Sequence, residues 1–182
     1  MKRRLSQSAA ALLAVAALAQ PQLARAQSCV EQQDVTDAVI YSMPLLASAV
    51  DQRCAGTLAP GGFMATQGDE FVAPYLAIRE QHWPGTVRLL QSFSSKGKKS
   101  DKNGFDAAKM FETLPPDALQ PFVDAIIVQM VQEQIKPESC SKIERGVELL
   151  APLPPENVGG LLAFIVDMAG VKDPEICPYR EQ

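Results

Sequence analysis

Four cysteines, Cys29, Cys54, Cys140 and Cys177, are spread along almost the whole chain, and any fold it adopts must decide which of them meet. The segment ahead of them sets their redox state. Lys2, Arg3 and Arg4 precede an apolar run from Ala9 to Ala19, and the segment closes with Ala24-Arg25-Ala26. That is the three-part pattern of a secretory signal peptide. The run is too short to cross a bilayer, which takes about 20 apolar residues. We expect cleavage after Ala26, leaving 27–182 as a single helical domain with no transmembrane segment and a periplasmic or secreted address. An even number of cysteines in an exported chain reads as two disulfides. Lipidation of Cys29 is the competing reading. Ala26 stands where a lipidation signal takes an aliphatic residue and Gln27 where it takes a small one, which disfavours it.

The first helix restricts the pairing. From Asp34 to Arg53 the residues Val35, Ala38, Val39, Leu45, Leu46, Ala49 and Val50 recur at helical spacing, with Asp34 as a candidate N-cap. Pro44 inside this helix removes one backbone hydrogen bond and predicts a kink. A helix of that length rises about 1.5 Å per residue and holds Cys29 roughly 30 Å from Cys54, far beyond disulfide reach. Sequential pairing is therefore disfavoured. Of the two connectivities left open, we favour the nested one, Cys29 with Cys177 and Cys54 with Cys140, because the termini of compact domains tend to lie close together.

Further helices are expected over Asp69–Gln81, with Phe71, Val72, Tyr75, Leu76 and Ile78 inward, and over Pro84–Phe93, where Pro84 suits a first helical position. The polar stretch from Ser94 to Gly104 reads as a loop. Beyond it the chain repeats itself. Leu114-Pro115-Pro116-Asp117 aligns with Leu153-Pro154-Pro155-Glu156, and each follows a helical pattern and opens another. The second proline fits a helix start, and the acid places negative charge at the positive end of the helix dipole. Leu119, Phe122, Val123, Ile126 and Met130 would line the first of these helices, and Val158, Leu161, Leu162, Ile165 and Val166 the second. No segment alternates long enough to demand a sheet. The expected fold is all-α, a disulfide-stabilised bundle of six or seven helices, whose C-terminal half reads either as two related helical hairpins or as two helices that happen to start alike.

Chemistry is sparse. The chain holds 17 basic and 21 acidic residues, and loss of Lys2, Arg3, Arg4 and Arg25 with the leader moves the balance to 13 against 21, a net charge near −8. That disfavours nucleic acid, whose phosphates call for a basic face. His82 is the only histidine, so any Ser-His-Asp or Cys-His arrangement passes through it. No Gly-x-Ser-x-Gly elbow is present, the cysteines are committed to disulfides, and one histidine is too few for the usual zinc ligand set. Asp101 to Glu112 has the ends of a calcium-binding EF-hand loop, but Phe105 and Asp106 occupy the positions that need an oxygen ligand and a glycine. Lys96, Lys98, Lys99 and Lys102 form a locally basic cluster that Asp101 interrupts, and we take it as a solvated loop rather than a lipid-headgroup contact. Asp167 lies in the apolar stretch Leu161 to Ala169, and burial there would raise its pKa.

The exported first helix led by Cys29, the Trp83-Pro84 junction and the Leu153-Pro154-Pro155-Glu156 start of the last helix together resemble an uncharacterised family of small exported helical proteins of alphaproteobacteria. The resemblance covers most of the mature chain. It implies a periplasmic address and no particular activity. We therefore expect a non-catalytic cell-envelope protein that needs no cofactor or metal and binds an envelope protein or a small apolar ligand between its helices. His82, Trp83 and Asp167 are the candidate pocket residues. The alternative is a small envelope hydrolase using His82 or a pair of carboxylates.

Overall fold

The computed structural model describes residues 29–95, 113–171 and 174–178. Within them the fold is all-α, with six helices: α1 (Gln32–Cys54), α2 (Phe63–Ile78), α3 (Trp83–Ser95), α4 (Pro116–Gln134), α5 (Cys140–Leu150) and α6 (Pro155–Met168). This is the low end of the expected number. Short 3-10 turns at Arg79–His82 and Pro137–Ser139 lead into α3 and α5.

The architecture is organised by α1, which packs against each of α2 to α6. Its sequence explains why. Apolar residues occur around most of its circumference, and a helix of that kind belongs inside a domain. Ile40, Tyr41 and Ala49 are wholly buried, and the helix runs unbroken across Pro44. Three apolar clusters are strung along it. Val30 and Val35 meet Ala163 and Ile176 at one end, Ile40 and Met43 meet Phe71, Tyr75 and Val158 in the middle, and Val50 and Cys54 meet Ile135 and Cys140 at the other end.

Each end of α1 is also pinned covalently. Cys29–Cys177 closes the N-terminal end and Cys54–Cys140 the C-terminal end, with Cα separations of 5.0 and 5.7 Å. This is the nested connectivity. Beside the first disulfide, Val30 N–H donates to the Glu175 carbonyl and Cys177 N–H to the Val30 carbonyl, both at 2.8 Å, in an isolated parallel bridge.

Both Leu-Pro-Pro-acid segments start helices in the same way. Pro115 and Pro154 are extended, with ψ of 149° and 150°, and Pro116 and Pro155 are the first helical residues. Each leading proline carbonyl accepts the first amides of its helix, from Ala118 and Leu119 in one case and from Asn157 and Val158 in the other. The helix expected before the first copy, like the basic cluster from Lys96 and the stretch from Asp101 to Glu112, lies outside the described residues.

Three expectations are corrected. The N-cap of α1 is Glu31, and Asp34 sits buried in the first turn. Helix α2 begins six residues early, at Phe63, because its start is completed from elsewhere: Glu144 on α5 accepts the Met64 amide at 3.0 Å. The third concerns facing. Leu76, Phe122, Met130, Leu161 and Ile165, expected inward, are all exposed.

Candidate functional site

The polar chemistry lies in a seam between α1 and the α2–α3 junction. Asp34 and Asp37 stand one turn apart on α1, both 8% exposed. A buried carboxylate needs partners. Asp34 receives two hydrogen bonds from Arg88 on α3, at 3.0 and 2.7 Å. Asp37 receives one from Gln33 at 2.8 Å and faces His82, with Asp37 Oδ1 and His82 Nδ1 2.9 Å apart. A carboxylate only accepts, so Nδ1 carries the proton. Gly85 makes room for this. A Cβ built there would lie 2.6 Å from Asp37 Cβ and collide with its carboxylate.

A second tie lies on the other side of the junction. Asp124 on α4 accepts from the Tyr41 hydroxyl at 2.5 Å and from Arg79 at 2.6 Å. The Arg79 guanidinium lies over the Tyr41 ring, 4.2 Å from its centroid, and Trp83 packs against that ring at 5.0 Å. Burial first, and Asp124 second, push the Tyr41 hydroxyl well above the ordinary tyrosine range.

The predicted pocket residues are thus placed as interhelical ties. His82 is engaged by Asp37, Trp83 stacks on Tyr41, and Asp167 accepts a hydrogen bond from Gln32 at 3.0 Å. Each of them joins its helix to α1. The Asp37–His82 contact has the form of an orienting acid and a base, yet the nearest hydroxyl in sequence, Thr86, donates to the His82 carbonyl. Among the described residues no group of three or more His, Cys, Asp or Glu side chains is arranged to hold a metal ion.

Concave surface occurs elsewhere. Two adjoining grooves of about 340 and 430 Å³ lie along α2 and α5 and share Phe63, Gln67 and Glu148. Phe63, Phe71, Ala151 and Pro152 line the first together with Gln67, Glu70 and Glu148. Glu144 and Arg145 line the second, where Arg145 pairs with Glu148 at 2.7 Å and Glu144 holds the start of α2. Neither groove is lined by His82, Trp83 or Asp167. The spacing of Phe63, Gln67, Glu70 and Phe71 is that of one helical face. It would have been visible had α2 been started at Phe63.

No protein family, curated protein or solved structure matches this chain.

Proposed function

We propose that the protein is a non-catalytic binding protein of the periplasm, and that its partner is a segment of another envelope polypeptide held along α2 and α5. One observation carries this reading: two adjoining open grooves share Phe63, Gln67 and Glu148, and Phe63 and Phe71 both line the first. A small ligand would be enclosed on most of its surface, whereas an open groove suits an extended or helical segment. The exposed carboxylates of Glu70 and Glu148, the second shared with Arg145, favour apolar segments that carry lysine or arginine, since complementary charge selects partners at a groove edge.

The test is fluorescence anisotropy with labelled peptides of equal length, one apolar and basic, one apolar and acidic. The expected result is saturable binding of the basic peptide alone, lost when Glu70→Lys and Glu148→Lys are combined. Both side chains are exposed, so the fold tolerates the change. Equal binding of both peptides, or of neither, rejects the groove as the site.

The hydrolase alternative is favoured only by the Asp37–His82 contact. His82→Gln distinguishes it. The amide keeps a hydrogen-bond donor and removes the base, so lost function at unchanged stability would favour catalysis.

A further inference from the structure

Helix α6 is apolar on two opposite sides. Val158, Gly159 and Ala163 face α1 and are buried, with Leu162 and Val166 beside them. On the far side Leu161, Phe164, Ile165 and Met168 follow one another at helical spacing and are 42, 54, 49 and 71% exposed. They fall within an arc of about 100°. A helix that is apolar all round is expected to be covered all round. Among the described residues only one side is covered.

We propose that this outer face of α6 is covered by the same face of a second copy of the chain, in a symmetric dimer. The absence of charge points to a like partner. The arc holds no Lys, Arg, Asp or Glu, so it has nothing to select a charged surface, and an uncharged stripe is complementary to itself across a two-fold axis. Asp167, at the edge of the arc, is turned toward its own chain by Gln32. No carboxylate is therefore left facing its copy there. A bilayer surface is the weaker occupant, because membrane-seating helices carry basic residues along their flanks and α6 carries none.

The exposed area agrees. The four side chains expose roughly 500 Å² together, against about 800 Å² per partner in a standard interface. The stripe thus forms the apolar centre of an interface of ordinary size, with polar neighbours as its rim.

Sedimentation equilibrium of the disulfide-bonded chain, purified from the periplasm of an expressing bacterium, tests this across a range of concentrations. The expected result is a reversible monomer–dimer equilibrium. Phe164→Glu should weaken it by about 30-fold or more, as loss of a central aromatic anchor does. Met168→Glu, at the most exposed position of the stripe, should weaken it while leaving the fold intact even if Phe164→Glu expresses poorly. A mixture of Phe164→Glu and Phe164→Lys chains should recover the dimer. A monomer at every concentration, or a dimer indifferent to both glutamate variants, overturns the proposal. So does binding of the monomer to vesicles of phosphatidylethanolamine and phosphatidylglycerol through this stripe. Peptide binding in the α2–α5 groove is read separately and is unaffected by either outcome.

Discussion

Gly85→Ala should be among the most damaging small substitutions in this protein. Inside a helix that change ordinarily stabilises by up to about 1 kcal/mol. At Gly85 the new methyl would lie 2.6 Å from both Cβ and Cγ of Asp37, well inside contact distance, and these atoms stand close to the α1 backbone. Either α3 moves away from α1 or Asp37 rotates out of the seam. Overpacking costs about 1 to 3 kcal/mol. Loss of a buried, paired carboxylate costs about 3 to 5 kcal/mol when complete, and less for a pair that keeps some solvent contact, as His82 does at 16% exposure. A net loss of about 3 kcal/mol follows, or roughly 6 to 12 °C in melting temperature for a domain of this size. Gly146→Ala in α5 is the control, because its new methyl meets nothing within 4 Å. It should gain up to about 1 kcal/mol. Urea unfolding followed by helical dichroism measures both. The decisive variant is Asp37→Gly, which removes the obstructing atoms, and in that background Gly85→Ala should turn from destabilising to stabilising. The reasoning fails if Gly85→Ala lies within about 0.5 kcal/mol of the parent, or costs the same whether or not Asp37 is present.

Tyr75 is 1% exposed, and its hydroxyl has no hydrogen-bond partner among the described residues, so Tyr75→Phe should raise stability by about 1 kcal/mol at neutral pH in thermal unfolding. Burial, and then Glu156, push its pKa up to about 12, above the usual value near 10 for the unfolded chain. The stability it contributes is therefore whole below pH of about 10 and lost as the pH climbs through about 12, and Tyr75→Phe should flatten that part of the profile. Replacing Cys54 and Cys140 together with Ala should cost about 4 kcal/mol, since their bond spans 86 residues; an equal melting temperature would show that the unfolded chain is little constrained by it. Asp124→Ala removes the acceptor shared by Tyr41 and Arg79 and should cost about 2 kcal/mol in urea unfolding, with a larger loss than Arg145→Ala on the exposed face of α5.

The sequence carried the parts of the fold that depend on local pattern. Apolar spacing located α1, α3, α4 and α6, and the Pro-Pro-acid segments marked two helix starts because proline fixes its own backbone angle. The length of α1 ruled out Cys29 with Cys54 because a helix is a ruler, and the tendency of termini to lie close together favoured the nested pairing of the two that remained. What stayed hidden depends on residues far apart in the chain. The start of α2 is completed by Glu144, 80 residues away, and the ties from Asp34 to Arg88 and from Tyr41 to Asp124 span 54 and 83 residues. One signal of the seam was present: two carboxylates, Asp34 and Asp37, one turn apart beside the apolar residues Val35, Ala38 and Val39 of α1, which call for donors from a neighbour. The outer face of α6 was concealed for the opposite reason. Its leucines and isoleucine look the same in sequence whether they face the core or another surface.

The disulfide at the ends of the fold also governs how the protein bears mechanical load. Cys29 and Cys177 join positions 148 residues apart beside a short backbone pairing, so tension applied at the two ends of the chain is carried by a sulfur–sulfur bond. The helices between them feel none of it. On the order of 500 Å of contour length is locked out of reach of a pulling force at about 3.4 Å per residue. Cleaving that bond alone would release the chain on either side of the Cys54–Cys140 loop and leave the 86-residue interval between those cysteines still closed. A pulling trace taken with added reductant should therefore lengthen in two separate steps.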